Sequence, residues 1–354
     1  MGKPLPRVEI SISKIRENAS FLARLYGTKG ISLMGVTKAV LGEPKISEAM
    51  IHGGVRWIAD SRLENIAKMR AQGLAARYVL LRTPLSSAES VVALADVSFN
   101  TELETLKSLS HRAHLQNIIH QVVIMVELGD LREGVLPTDL FSFVREVLTL
   151  PCLEVIGIGG NLACYGGVHP DEKNMAVLSE LANQLERELP LRLELVSGGN
   201  SANYDWFRET KDFGRINNLR IGESILLGCE TLSRKPISGL NVDAFQLVAE
   251  IIEAKTKPSM PYGQLGQDAF GVVKGFKDKG QMQRLILALG RQDVTVVGIQ
   301  PTSPLEIIGA SSDHVLLDGK NTDLQVGDEV RFSLDYGALL AVMTSPFVHK
   351  RYHA

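Results

Sequence analysis

Cysteine is scarce in this chain: Cys152, Cys164 and Cys229 are an odd number, far apart and without CxxC spacing. That excludes a disulfide framework and a cysteine-based zinc site, and it points to a reducing, cytoplasmic setting. Long apolar runs are missing too. None approaches the ~18 residues of a membrane span, and the opening Met-Gly-Lys-Pro-Leu-Pro-Arg has no apolar stretch of signal-peptide type. Charge of one sign is also absent, with 38 Lys and Arg against 40 Asp and Glu for a net −2. Such a balance gives no reason to expect nucleic acid or an anionic membrane as partner. No glycine-rich GxGxxG or GxxxxGK(S/T) follows an early strand, which removes the usual signals for a dinucleotide or a P-loop nucleotide.

What is present is 354 residues with 45% hydrophobic and 22% charged side chains, an ordinary globular profile. At about 150 residues per domain the length suggests roughly two domains. From Ser11 to Leu227 short β-branched runs alternate with longer amphipathic stretches. The runs include Gly30–Val36, Val55–Ala59, Tyr78–Leu81, His120–Val126 and Leu153–Ile158. Between them Leu63, Ile66 and Met69 recur at helical spacing, and Leu140, Val144, Val147 and Leu148 share one helical face. Ser61 before Glu64 and Thr101 before Glu104 have capping-box spacing. Buried strands alternating with amphipathic helices predict parallel βαβ units, and about eight strands before Gly228 fit a closed barrel.

After Gly228 the texture changes to strand-like runs, among them Ala244–Ile252, Arg284–Ala288, Val294–Val297 and His314–Leu317, separated by turn residues. Long helical periods are missing there. The expected fold is therefore α/β, a (β/α)8 TIM-like barrel over residues 11–232 followed by a C-terminal β domain over 240–354. The boundary is placed in Ser233–Gly239, with residues 1–10 packing with the β domain.

Candidate chemistry gathers after the strands. Lys38 follows the first apolar run, at the rim where barrel active sites form. A desolvated lysine loses charge stabilisation, and its neutral amine can condense with a carbonyl; a solvated loop lysine is the plainer reading. Glu127-Leu-Gly-Asp-Leu-Arg-Glu-Gly134 puts Asp130 and Arg132 after another strand, where Arg can hold a carboxylate or the loop can pair with itself. Asn161, among the glycines of residues 159–167, offers a donor and an acceptor, or sits in a tight turn. In Val196-Ser-Gly-Gly-Asn-Ser-Ala-Asn203, Asn200 and Ser201 stand where a helix starts, which suits a phosphate or serves as an N-cap. Arg220 ends the next apolar segment, and Gly222 permits backbone approach to an anion; pairing of Arg220 with Glu223 is the alternative. His111, His114 and His120 are close in sequence, but a solvated helix end accounts for the first two better than zinc does.

Taken in order, Val36-Thr-Lys-Ala39, the Asp-Leu-Arg-Glu-Gly segment, Ser197-Gly-Gly-Asn-Ser201 and Asn217-Asn-Leu-Arg-Ile-Gly222 resemble the alanine racemase fold. Within it the chain resembles the alanine/ornithine racemase family. Gly290-Arg-Gln-Asp293, Gly309-Ala-Ser-Ser-Asp-His314 and Leu334-Asp-Tyr-Gly-Ala338 extend the match over nearly the whole chain. The resemblance implies an amino-acid racemase with pyridoxal 5′-phosphate on Lys38 and Arg220 at the pyridine nitrogen. It places Ser201, Asn200 and Gly222 at the phosphate, and Arg132 at the phenolic oxygen and the substrate carboxylate. Lys38 then serves one face of Cα, and Tyr262 of the partner subunit serves the other, which implies a homodimer with shared active sites. Asp313 of the partner subunit would line the same pocket.

The departures bear on substrate. By the resemblance Asn161 stands where a ring-stacking histidine is expected, Ala39–Gly42 lacks a phosphate-contacting tyrosine, and Thr344 or Ser345 replaces a late one. Arg291 and Asp293 mark the substrate entrance, where Asp293 and Asp313 would suit a cationic side chain such as that of ornithine or lysine. Alanine racemase proper, a basic amino-acid decarboxylase on the same architecture and a non-enzymatic protein of pyridoxal phosphate homeostasis are the competing readings.

Overall fold

The structure is a computed structural model that describes residues 5–273, 275–320 and 322–354. The chain divides into two compact units: Ile12–Val242, and Asp243–Ala354 together with the segment ending at Ser11. The division falls at Val242/Asp243, so Ser233–Gly239 lies within the first unit. The linker is held there by backbone bonds from Ile237 N to Gly228 O (2.9 Å) and from Glu230 N to Lys235 O (3.0 Å).

Strand β1 (Arg7–Ser11) belongs to the second unit. In the first unit, eight parallel strands close a barrel among the described residues. They are β2 (Ser32–Val36), β3 (Trp57–Asp60), β4 (Arg77–Leu80), β5 (Val97–Asn100), β6 (His120–Val126), β7 (Leu153–Gly160), β8 (Leu195–Ser197) and β9 (Asn218–Ile221). This is the (β/α)8 barrel expected from the alternating pattern. Period-two alternation places Met34, Val36, Ala59, Val79, Val97, Phe99, Val123 and Met125 in one buried cluster inside it. The opposite faces pack under helices. Helix Glu172–Glu188, for example, buries Met175, Leu178, Ala182 and Leu185, spaced three or four apart. Among the described residues no helix is long and apolar enough to cross a membrane.

Helix starts depart from the expected boxes. Helices Leu63–Ala71 and Leu103–Leu115 begin after Arg62 and Glu102, neither with a side-chain cap bond. At the first, the Asp60 carboxylate instead accepts the Arg62 N–H at 2.9 Å. A true box forms at Asp171 and Asn174, each side chain bonded to the other's backbone N–H. Helix Leu140–Val147 buries Leu140, Val144 and Val147, while Leu148 lies outside it and is partly exposed. His120 is buried beneath the helices with Nε2 2.8 Å from Ser98 Oγ, and burial pulls its imidazole down to about 4.

Among the described residues the second unit forms an eight-stranded sheet. It adds β10 (Phe245–Pro258), β11 (Gln281–Leu287), β12 (Ile299–Pro301), β13 (Glu306–Ala310), β14 (Val315–Asp318), β15 (Glu329–Leu334) and β16 (His349–His353). The order β12-β15-β10-β11-β14-β13 is antiparallel throughout, and β1 lies between β10 and β16. Arg7, fully buried in β1, donates to both carboxylate oxygens of Glu329 at 2.9 and 2.7 Å. Two expectations fail here. Val294–Val297 is no strand, because Asp293 fixes a turn that runs into a single 3-10 turn, Val296–Gly298. A helix, Tyr336–Thr344, stands in the β unit, its start capped by Asp335 Oδ1 accepting the Ala338 N–H at 2.8 Å.

Candidate active site

The C-terminal ends of the barrel strands carry the candidate residues. Lys38 follows β2 in the 3-10 turn Lys38–Val40. It is exposed, and among the described residues its amine has no hydrogen-bond or ion-pair partner. Thr37, just before it, donates its hydroxyl to Asp60 at the end of β3 at 2.7 Å.

Arg132 comes from the loop after β6. Glu127 shapes this loop by accepting the N–H of Gly129 (2.6 Å) and Leu131 (3.0 Å). Asp130 fastens it to the loop after β7, accepting the N–H of Cys164, Tyr165 and Val168 at 3.1, 2.9 and 3.2 Å. Burial opposes the Asp130 charge, but those donors outweigh it and hold the carboxyl below its ordinary range. Asp130 is thus structural, and Arg132, partly exposed, pairs with Glu133.

Arg220, at the end of β9, is buried, and its guanidinium is shared among uncharged acceptors. Nη1 donates to Ser197 Oγ at 2.6 Å; Nη2 donates to Gly160 O at 2.6 Å and to Asn161 Oδ1 at 3.1 Å. The Phe99 ring lies 5.3 Å from its Cζ. Burial, helped by nearby Arg132, lowers it to about 10, so it stays charged at neutral pH. The expected pairing with Glu223 does not form, since Glu223 is engaged by Arg234. Asn161 is the hub of this group. Its Oδ1 also accepts from Asn200 Nδ2 at 3.0 Å, and its Nδ2 donates to Cys164 Sγ at 3.0 Å.

Asn200 caps the turn Ser201–Asn203 in a box with Asn203. Ser201 Oγ accepts the Ser224 N–H at 3.2 Å, which joins that turn to the start of helix Glu223–Leu227. At Gly222 a Cβ would sit 3.1 Å from both Cβ and O of Val36, closer than ordinary contact, so a side chain there would need β2 to give by a few tenths of an ångström. Lys38, Arg132, Asn161, Asn200, Ser201, Arg220 and Gly222 therefore all belong to one rim of one barrel.

The β unit brings three other residues together. Arg291 N donates to Ser311 O (3.1 Å), and Gln292 N donates to Ser312 O (3.0 Å). Arg291 and Asp293 thus lie beside Asp313. The Arg291 guanidinium lies over the Phe270 ring, 4.0 Å from its centroid. Asp313 is exposed, accepts from Ser311 Oγ at 2.9 Å and pairs with His314 at 3.0 Å. Asp293 is different: it is buried, and its carboxylate accepts the Gly290 N–H at 2.9 Å. It holds a turn instead of presenting charge at an entrance, whereas Asp313 is exposed. Tyr262 is 91% exposed in the loop after β10. Thr344 and Ser345 spend their hydroxyls on neighbouring backbone, Thr344 donating to Leu340 O and Ser345 accepting from Phe347 N.

Comparison with known proteins gives this rim its context. Residues 10–229 match the family model described as alanine racemase, N-terminal domain. The chain belongs to the alanine racemase family. An ornithine racemase from Acetoanaerobium sticklandii is 42% identical over 98% of this chain and 99% of its own. A lysine racemase from Thermotoga maritima is 35% identical over 98% of each chain. The alanine racemase of Streptomyces lavendulae shares the fold at TM-score 0.76 and 15% identity, covering 100% of this chain and 98% of that one. The Bartonella henselae alanine racemase, solved with covalently bound pyridoxal phosphate, shares it at TM-score 0.75 and 17% identity, covering 99% and 100%.

Within this alanine racemase family site, sequence reasoning missed Ser197, Gly160 and the Thr37–Asp60 pair. Ser197 is the first residue of the Ser-Gly-Gly-Asn-Ser motif. Only the register of β8 on β9, which pairs Ser197 with Asn218, shows that it faces Arg220 and donates to Asn218 Oδ1 at 2.8 Å.

Proposed function

We propose that this amino-acid racemase interconverts the L and D forms of a basic amino acid, ornithine or lysine, with pyridoxal 5′-phosphate as cofactor and in a homodimer. The observation that carries the chemistry is Arg220, a buried guanidinium held entirely by neutral acceptors. The full-length similarity to an ornithine and a lysine racemase supports the substrate class.

The residues present fit the cofactor. Lys38 offers an amine without a partner among the described residues, Ser201 and the backbone at Gly222 offer donors for a phosphate, and Arg220 offers a fixed positive charge for the pyridine nitrogen. When bound, the cofactor supplies the electron sink that stabilises Cα once its proton has left. Arg220 discourages protonation of the pyridine nitrogen, because a second positive charge beside a buried guanidinium is costly. That tempers the sink and favours return of the proton over side reactions. Lys38 Nζ holds the proton on one face of Cα. The Tyr262 phenol, contributed by the partner subunit, holds it on the other face. Arg132 orients the substrate carboxylate as a bidentate donor, and Asp313 attracts the side-chain ammonium. A basic amino-acid decarboxylase is disfavoured because a strong sink wants a carboxylate where Arg220 stands.

The test has two arms. Protein loaded with pyridoxal 5′-phosphate should be yellow, lose that colour on borohydride reduction and carry the adduct on Lys38. Racemisation, followed by chiral chromatography across the amino acids, should be faster with ornithine or lysine than with alanine. Faster alanine turnover overturns the substrate assignment; release of CO₂ from ornithine or lysine without racemisation overturns the reaction.

A further inference from the structure

The lysine turn is fastened at both ends to one buried carboxylate cluster. Thr37 and Asp60 are both fully buried. Thr37 Oγ1 donates to Asp60 Oδ2 at 2.7 Å. Asp60 Oδ1 accepts from Asn65 Nδ2 at 3.0 Å and from Arg62 N at 2.9 Å. Thr37 N donates to Ala59 O at 3.0 Å, so the residue before Lys38 is tied to β3 by backbone and side chain together. At the other end, Gly42 N donates to Thr37 O at 3.2 Å. Gly42, at φ +55, packs so tightly that a Cβ would lie 2.7 Å from Asn65 Cβ. Residues 37–42 therefore close on themselves and rest on Asp60 and Asn65.

A carboxylate in such a place is expensive. Burial pushes the Asp60 carboxyl up, against the pull of Thr37, Asn65 and the backbone N–H groups. The side chains bonded to it, Thr37 and Asn65, are neutral. A helix-start cap alone needs one side-chain acceptor, and a neutral Ser or Asn supplies it. What only a carboxylate offers is acceptance on both oxygens, one toward the lysine turn and one toward Asn65 and Arg62.

We infer that Asp60, acting through Thr37, is a positioning residue that fixes the attachment point of Lys38, a role that rests on reading Lys38 as the cofactor lysine. A reacting amine displaced by about 1 Å loses on the order of 100-fold in rate.

The experiment uses the full chain with Thr37→Val, which keeps shape and removes the donor, and Thr37→Ser, which restores it. Asp60→Asn is measured alongside, because it leaves one oxygen where the carboxylate has two to accept from Thr37, Asn65 and Arg62. Cofactor-stripped protein is mixed with pyridoxal 5′-phosphate, and the rate of forming a borohydride-trappable adduct on Lys38 is followed, with Tm, kcat and KM for ornithine. Thr37→Val and Asp60→Asn should lower the trapping rate and kcat about 10- to 100-fold with KM little changed, and Thr37→Ser should recover the wild-type values. Wild-type trapping and kcat in Thr37→Val overturn the inference, as does a loss of Tm with trapping unchanged, which is what a plain helix cap would give. Failure of the wild type to trap any adduct on Lys38 refutes the cofactor reading instead.

Discussion

Replacing Ser197 by alanine tests how the buried guanidinium is held. The Ser197 hydroxyl accepts from Arg220 Nη1 at 2.6 Å and donates to Asn218 Oδ1 at 2.8 Å, and it is fully buried. Alanine fills almost the same volume, so little of the effect is cavity. The first loss is a hydrogen bond to a charged group, about 1.5–3 kcal/mol. The second is the stranding of the Asn218 oxygen, about 1–3 kcal/mol. Arg220 keeps Gly160 O and Asn161 Oδ1, which moderates the sum to about 2–5 kcal/mol. At roughly 2–4 °C per kcal/mol for a unit of this size, Tm should fall by about 4–20 °C. Thermal unfolding by circular dichroism reads this directly, and Ser197→Thr, which keeps the hydroxyl, serves as control. A Tm within about 2 °C of wild type for Ser197→Ala would refute the reasoning, because Arg220 would then be held well enough by its other acceptors.

His120 makes stability pH-dependent. Its pKa lies near 4 in the folded chain against 6.5 for an ordinary imidazole, so the unfolded chain binds a proton first as pH falls. Stability is therefore full above about 6.5 and is lost between 6.5 and 4, on the order of 3 kcal/mol in all; a urea midpoint for His120→Asn that tracks wild type from pH 7 to 4.5 contradicts this. Tyr262→Phe should lower racemisation by about 10²–10⁴ while the protein still binds pyridoxal 5′-phosphate and exchanges the Cα hydrogen of one enantiomer in deuterated water. Full racemase activity in that variant removes Tyr262 from the mechanism.

The barrel was legible because its strands and helices bury opposite faces at periods of two and 3.6, and those periods survive in a single sequence. The helix Tyr336–Thr344 was not, because Tyr-Gly-Ala-Leu-Leu-Ala-Val-Met is apolar nearly all round and carries no stripe to count. Val294–Val297 reads as a strand by β-branching alone, and the Asp293 turn overrides it. Lys38 and Arg220 stood out by their places after apolar runs. Their supports did not. Ser197 and Asp60 each lie 23 positions from the residue they hold, across a strand pairing whose register no local pattern announces. Asp293 misled for a related reason: a carboxylate's charge is visible in the sequence, while its capture by the Gly290 N–H three residues earlier is not.

Strand β1 has a consequence for how the chain is made. Arg7 pairs with Glu9 two positions on, yet the Glu329 carboxylate that accepts from it on both oxygens lies 322 positions later. At 5–20 residues per second, roughly 15–65 s of synthesis separate the two. All residues of the barrel, 12–242, are translated inside that interval. Until residue 245 is reached Val8 and Ile10 lack β10, and until residue 349 they lack β16, although both are fully buried in the finished sheet. Strand β1 is made before all of its sheet partners and is sealed only when β16 follows, and a chain stopped before β15 leaves Arg7 without Glu329 and β1 without β16.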